Sequence, residues 1–180
     1  TFLSNMKKKK NLDCLFLVAK SSSKTYQKLS ISYSAIEPPT WALLLAESTR
    51  SVGFSVDILD CNAENLSEKE VLNIIKNLSP KIICLVVYGQ NVNAGTTNMS
   101  GAIFLSEYLK DNIIIPISII GSHVQALPTQ TLKKEKSIDF VFTNEGVYAL
   151  RNILKLNEYS FKNLSKIKGI AFRHKEEIIM

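Results

Sequence analysis

Lys81-Ile82-Ile83-Cys84-Leu85-Val86-Val87 is the stretch that decides the fold. After its lysine it is apolar without interruption and rich in β-branched residues, with none of the apolar–polar alternation of a half-exposed strand. A run this short and this apolar reads as a strand of a parallel sheet covered on both faces. The segments on either side agree. Before it, Ser67 followed three residues later by Glu70 has the form of a capping box, and Val71, Ile74, Ile75 and Leu78 supply the buried stripe of the helix it opens. Residues 54–59 form a further strand, ending at Asp60-Cys61-Asn62.

Farther back, residues 12–19 form the first strand, and a polar stretch over 20–33 leads to Glu37-Pro38-Pro39-Thr40. Proline lacks a backbone donor and tolerates a helix start, so a helix opens there. Trp41, Leu44, Leu45 and Ser48 fall on one face of it, and Gly53 ends it. On the carboxyl side a helix is expected over 98–110, then a strand over 113–120 with Pro116 near its start or on an irregular approach. A weaker helix follows over 126–136, a short strand over 139–142 and a helix over 145–156. Five strand–helix units in series make a doubly wound five-stranded parallel sheet of the flavodoxin-like (Rossmann-like) kind, order 2-1-3-4-5. Lys168 to Arg173 and Glu177 to Ile179 read as a C-terminal β-hairpin, either an appendage or the start of a connector.

The totals exclude several classes. The 180 residues suit one well-packed domain, and 46% hydrophobic with 21% charged is the balance of a soluble globular protein. The net charge of +6 owes much to Lys7-Lys8-Lys9-Lys10, a solvated leader within residues 1–11, so no nucleic-acid partner is expected. No apolar run approaches about 18 residues, so no membrane partner is expected. Cys14, Cys61 and Cys84 are scattered, without metal-ligand spacing, and fit a reducing cytoplasm. There is no GxxxxGK[ST] loop, no GxGxxG after the first strand and no GxSxG elbow. Lys20 follows the first strand where a phospho-acceptor domain needs an acidic cluster. No catalytic residue can be named.

The small and polar residues collect at the carboxyl ends of strands, where ligands bind in open parallel sheets. After the third strand come Tyr88, Gly89, Gln90, Asn91, Asn93, Thr96 and Thr97; after the fourth, Gly121, Ser122 and His123; after the fifth, Thr143, Asn144, Glu145 and Gly146. These loops hold many amides and hydroxyls and almost no charge, a composition suited to a large polar ligand rather than a bare phosphate. Gly121 and Ser122 allow close backbone approach. His123 reads as a ligand contact or a loop cap; with no second histidine or carboxylate at ligand spacing, no protein-built metal site is expected. Glu145 reads as a ligand contact or as the cap of the following helix.

Together these segments resemble the cobalamin-binding domain that precedes the catalytic domain of many radical SAM enzymes. The resemblance spans residues 12–179. Glu37-Pro38-Pro39 with Trp41-Ala42-Leu43-Leu44-Leu45-Ala46 is similar to the family's approach to its first helix, and Gly53-Phe54-Ser55-Val56-Asp57-Ile58-Leu59-Asp60 to its second strand. Ile119-Ile120-Gly121-Ser122-His123 with Leu127-Pro128 resembles its Gly-Gly-x-His turn, Asp139 to Gly146 its Gly-Glu-Gly turn, and Ile167 to Arg173 the hairpin before the barrel. Two departures stand out: Ser122 replaces the second glycine of the first turn, and Asn144 the first glycine of the second.

The resemblance implies that Gly89, Gln90, Asn91 and Asn93 lie at the cobalt face or corrin edge. Ser122 and His123 would lie near the nucleotide tail, and Glu145 and Gly146 along the rim. The DxHxxG histidine is absent, so cobalamin would bind with no histidine on cobalt (His-off). It further implies that residues 12–160 are the cobalamin-binding domain and 161–180 lead toward a radical SAM domain of the same chain, which alone would hold a [4Fe-4S] cluster and S-adenosylmethionine. The chain ends at Met180 as a fragment would, and a methyltransferase-type reaction is implied for the full-length protein. The alternative is a scaffold or interaction domain of the same fold that no longer binds cobalamin.

Overall fold

A computed structural model describes residues 11–20, 38–89 and 92–180, the side chains of 92–94 excepted. In chain order the elements are β1 (Cys14–Val18), α1 (Thr40–Arg50), β2 (Val56–Asp60), α2 (Glu68–Leu78), β3 (Ile82–Val87), α3 (Val92–Lys110) and β4 (Ile117–Gly121). Then come α4 (Ser122–Ala126), α5 (Pro128–Lys134), β5 (Phe140–Phe142), α6 (Val147–Leu154), α7 (Phe161–Leu164), β6 (Ile170–His174) and β7 (Glu177–Ile179). They build one seven-stranded sheet of order β2-β1-β3-β4-β5-β6-β7. The first five strands run parallel, in the expected 2-1-3-4-5 order, and the C-terminal hairpin extends the sheet antiparallel from β5. The basic leader and the polar stretch over 21–33 lie outside the described residues.

Every residue of β3 is buried, as its composition requires. Its side chains alternate between two cores. Ile83, Leu85 and Val87 face α2 and α3, packing on Ile75, Met99, Leu105 and Leu109. Ile82, Cys84 and Val86 face α1 and α6, packing on Leu45, Ala46, Leu150 and Ile153. The fully buried cysteines Cys14 and Cys84 fill this second core and are free, as is buried Cys61. Desolvation pushes the Cys61 and Cys84 thiols up to about 12.

The capping box holds: the Ser67 hydroxyl accepts from the Glu70 amide, and the Glu70 carboxylate accepts from the Ser67 amide at 2.8 Å. The α1 face differs from the sequence reading. Ala42, Leu45, Ala46 and Thr49 are the buried set, whereas Trp41 is 41% and Leu44 58% exposed. Small alanines let α1 lie close to the sheet, and Thr49 is buried without penalty because its hydroxyl donates to the Leu45 carbonyl at 2.6 Å.

Three other boundaries move. Helix α3 starts at Val92, six residues before the expected 98, so Thr96 and Thr97 are helical. The expected loop over 121–125 is mostly the short helix α4, and the weak helix splits at Leu127, with Pro128 opening α5. Gly146, in the left-handed region at φ 69, is the N-cap of α6, so Glu145 lies before the helix rather than capping it. Pro116 stands just before β4, and its carbonyl accepts from the Ile83 amide at 3.0 Å. The hairpin is fastened by Arg173, whose guanidinium donates to the carbonyl of Leu132 in the last turn of α5 and to those of Glu135, Lys136 and Ile138 beyond it. Among the described residues no helix is long and apolar enough to cross a membrane.

Candidate functional site

The carboxyl ends of β3, β4 and β5 lie side by side, because these strands are consecutive neighbours running the same way. Each sends its polar segment to that edge. β4 carries the decisive turn: its last residue, Gly121, pairs with Val87 of β3. A side chain at Gly121 would overlap the Val87 carbonyl oxygen and stand 2.9 Å from the carbonyl carbon. The bare backbone there is thus required by the neighbouring strand itself.

Helix α4 begins directly after Gly121 and acts as the hub of the edge. Its His123 Nδ1 lies 3.2 Å from Thr96 Oγ1 on α3, and its Gln125 donates to the Tyr88 hydroxyl at 2.6 Å. Tyr88 stacks on Trp41 of α1 with ring centroids 4.4 Å apart and planes 20° apart. Asn98 of α3 donates to the Tyr88 carbonyl at 3.4 Å. Burial pushes the Tyr88 phenol up to about 12, and the nearby Glu145 carboxylate acts the same way. The phenol is therefore neutral throughout the physiological range.

Both departures from the glycine patterns are accommodated by their immediate neighbours. The Ser122 hydroxyl oxygen is buried and faces Gly95 of α3, where an added side chain would collide with it. A glycine on the helix thus makes room for the serine on the turn. Ser122 Oγ has no hydrogen-bond partner among the described residues. Asn144 folds back, accepting from the Gly146 amide at 2.8 Å and covering Gly169, which sits at φ 88. Its side chain is spent on the turn between β5 and the hairpin. Gly146 is itself enclosed, since a Cβ there would meet Ile120 Cδ1 at 2.5 Å and the Phe142 ring at 3.1 Å.

Of the residues singled out from sequence, Tyr88, Thr96, Ser122 and His123 are joined through α3 and α4. Gly89 lies half-buried beyond β3, Thr97 half-buried on α3, and Glu145 exposed beyond β5. Gln90 and Asn91, and the side chain of Asn93, lie outside the described residues. Sequence reasoning missed Trp41 as a member of this edge and gave Gln125 and Gly95, which it placed in the edge loops, no role of their own. Trp41 was assigned to the core by its helical spacing, and Gln125 and Gly95 sat inside stretches read as loop. Among the described residues no three of the His, Cys, Asp and Glu side chains gather as a metal site.

A doubly wound sheet with hydroxyl, amide and imidazole groups gathered on its carboxyl edge defines a ligand-binding α/β domain. The chain belongs to the B12 binding domain family, whose profile matches residues 27–154. It is 27% identical over 143 residues to the anaerobic magnesium-protoporphyrin IX monomethyl ester cyclase of Synechocystis sp., a match covering 79% of this chain and 28% of that protein. The chain thus spans little more than a quarter of that relative's length. In fold it is similar to the radical S-adenosylmethionine methyltransferase TsrM from Kitasatospora setae, solved with cobalamin and a [4Fe-4S] cluster bound. That likeness has a TM-score of 0.67 and 13% identity, over 93% of this chain and 30% of the other. It is similar also to the cobalamin-dependent S-adenosylmethionine radical enzyme OxsB, with a TM-score of 0.59 and 17% identity, over 93% of this chain and 22% of that one.

Proposed function

We propose that this chain holds cobalamin on the carboxyl edge of its sheet, as the domain that precedes a radical SAM barrel in a longer enzyme of methyltransferase type. Beside the family match, the observation that carries this reading is the α4 hub, which joins hydrogen-bonding groups beyond the ends of β3 and β4. The donor set fits the ligand. Cobalamin bears uncharged amide arms around a flat ring, and Tyr88, Thr96, His123 and Gln125 offer phenol, hydroxyl, imidazole and amide partners. The buried, unpartnered Ser122 hydroxyl adds an unused polar group on the same helix.

When bound, cobalamin would supply a cobalt centre able to carry a methyl group. The chain's own residues bind and orient. Gly89 leaves the backbone beyond β3 bare for close approach, His123 and Ser122 line the turn after β4, and Glu145 and Gly146 border the rim. Gln90, Asn91, Asn93 and Thr97 belong to the same proposed site through their place after β3. Binding is His-off in this reading. The sequence holds two histidines: His123 turns Nδ1 to Thr96, and His174 on β6 stacks on Phe161 at 4.0 Å. Residues 161–180 lead toward the barrel, which would carry the iron–sulfur cluster and S-adenosylmethionine. Three free, buried cysteines suit a reducing, cytoplasmic setting.

The test is to mix the purified chain with hydroxocobalamin, desalt it and record the visible spectrum. Retained cobalamin near one per chain, with a spectrum unchanged in His123→Ala, supports the reading. A colourless protein overturns cobalamin binding, and a spectrum altered by His123→Ala overturns the His-off form.

A further inference from the structure

We propose that Tyr88 recognises a carbonyl on the rim of the ligand by donating its phenol hydrogen bond, and that Trp41 and Gln125 are positioning residues that hold Tyr88 for it. The inference rests on reading this edge as a cobalamin site and assigns roles within it. Tyr88 leaves β3 beside β1, where the order of the sheet reverses and the crevice of a doubly wound fold opens. Its ring packs against the core shared by α1 and α6. Its hydroxyl reaches α4, whose Val124 belongs to the core on the other face of the sheet. The side chain therefore lies across the strand ends, from one helical layer to the other.

Two neighbours fix it there. The Trp41 stack sets the ring plane, and the Gln125 amide sets the oxygen. A phenol has one hydrogen to donate and two lone pairs to accept with. Gln125 occupies a lone pair, and among the described residues no acceptor takes the hydrogen. A half-buried donor left unpaired is costly, and the cost is recovered when an acceptor arrives. Burial keeps the phenol neutral, so it acts as a donor and not as an anionic cobalt ligand. The amide arms of cobalamin end in carbonyl acceptors of the required kind. Because Tyr88 is held on two sides before the ligand arrives, little side-chain freedom is lost on binding.

Trp41 is the single tryptophan of the sequence and 41% exposed, so its fluorescence reports on this position alone. Hydroxocobalamin would be titrated into the wild-type chain, Tyr88→Phe, Gln125→Leu, the double variant and Trp41→Phe, with binding followed by visible absorbance and folding by circular dichroism. Tyr88→Phe keeps the ring and the stack and should weaken binding about 3- to 10-fold. Gln125→Leu should weaken it about 2- to 5-fold and add nothing further in the Tyr88→Phe background, because it acts through the phenol. Trp41→Phe, which retains an aromatic stack, should stay within about 2-fold. If folded Tyr88→Phe binds as tightly as wild type, the donor role is overturned while the cobalamin site stands. If Gln125→Leu weakens both backgrounds equally, its positioning role is overturned. Absence of binding by the wild type overturns the site itself.

Discussion

Replacing Gly121 with alanine separates what β4 needs from what a ligand needs. Gly121 is extended, with φ 164, so alanine suits the backbone and the cost comes from overlap alone. The new methyl would intrude on the Val87 carbonyl oxygen, lying 2.9 Å from its carbon and 3.3 Å from Val87 Cβ. These atoms belong to a central strand buried on both faces, and no flexible side chain can swing aside to relieve them. Overpacking of this kind costs about 1–3 kcal/mol, roughly a 5- to 150-fold shift in the folding equilibrium. Urea unfolding followed by far-ultraviolet circular dichroism, without ligand, should show a lower midpoint and an unchanged slope. Gly53→Ala is the control: at φ 91 with nothing within 4 Å, it should lose only about 1 kcal/mol of backbone preference. A Gly121→Ala chain as stable as wild type that had lost only ligand retention would refute the strand-packing argument.

Other outcomes follow from the same geometry. Burial raises the Asp13 carboxyl, but hydrogen bonds from Lys81 and Ser55 outweigh it and leave the group below its usual value. Its stabilisation is thus present above the unfolded value of about 4 and is lost as pH falls through the folded one. Asp13→Asn should accordingly flatten the decline in urea midpoint between about pH 6 and about pH 3. The thiols of Cys14, Cys61 and Cys84, buried and held protonated, should react with Ellman's reagent only as fast as the chain opens. Rapid native labelling would contradict that burial. Arg173→Ala should cost at least about 1.5 kcal/mol, since the guanidinium serves four carbonyls, and hydrogen exchange should rise first across β6 and β7.

The sheet was legible in the sequence because a central parallel strand covered on both faces is apolar throughout, as β3 is. The α2 cap was legible for an equally local reason, its reciprocal bonds spanning three residues. The helix faces were less so. Trp41 and Leu44 have the hydrophobicity of a core stripe, yet α1 buries its alanines, a choice set by the close approach of the sheet. The α3 and α4 starts were hidden because Asn, Gly, Thr and Ser favour turns as single residues. They are helical here, with Gly95 on α3 leaving room for the Ser122 hydroxyl on α4. For the same reason the site was read as three separate loops, whereas α4 ties two of them together through Thr96 and Tyr88. Gln125 carried no signal of its own, since its role exists only once Tyr88 is laid across the strand ends.

The most direct test of the central claim is a map of where hydroxocobalamin, which is diamagnetic, shifts the backbone amide signals of the isotopically labelled chain. Cobalamin on the carboxyl edge predicts shifts concentrated at Tyr88 and Gly89, at Gly121 to Gln125 and at Asn144 to Gly146, with the opposite sheet edge around Ile113 to Ile115 undisturbed. An unchanged spectrum at saturating cobalamin, or shifts gathered at that opposite edge, would contradict it.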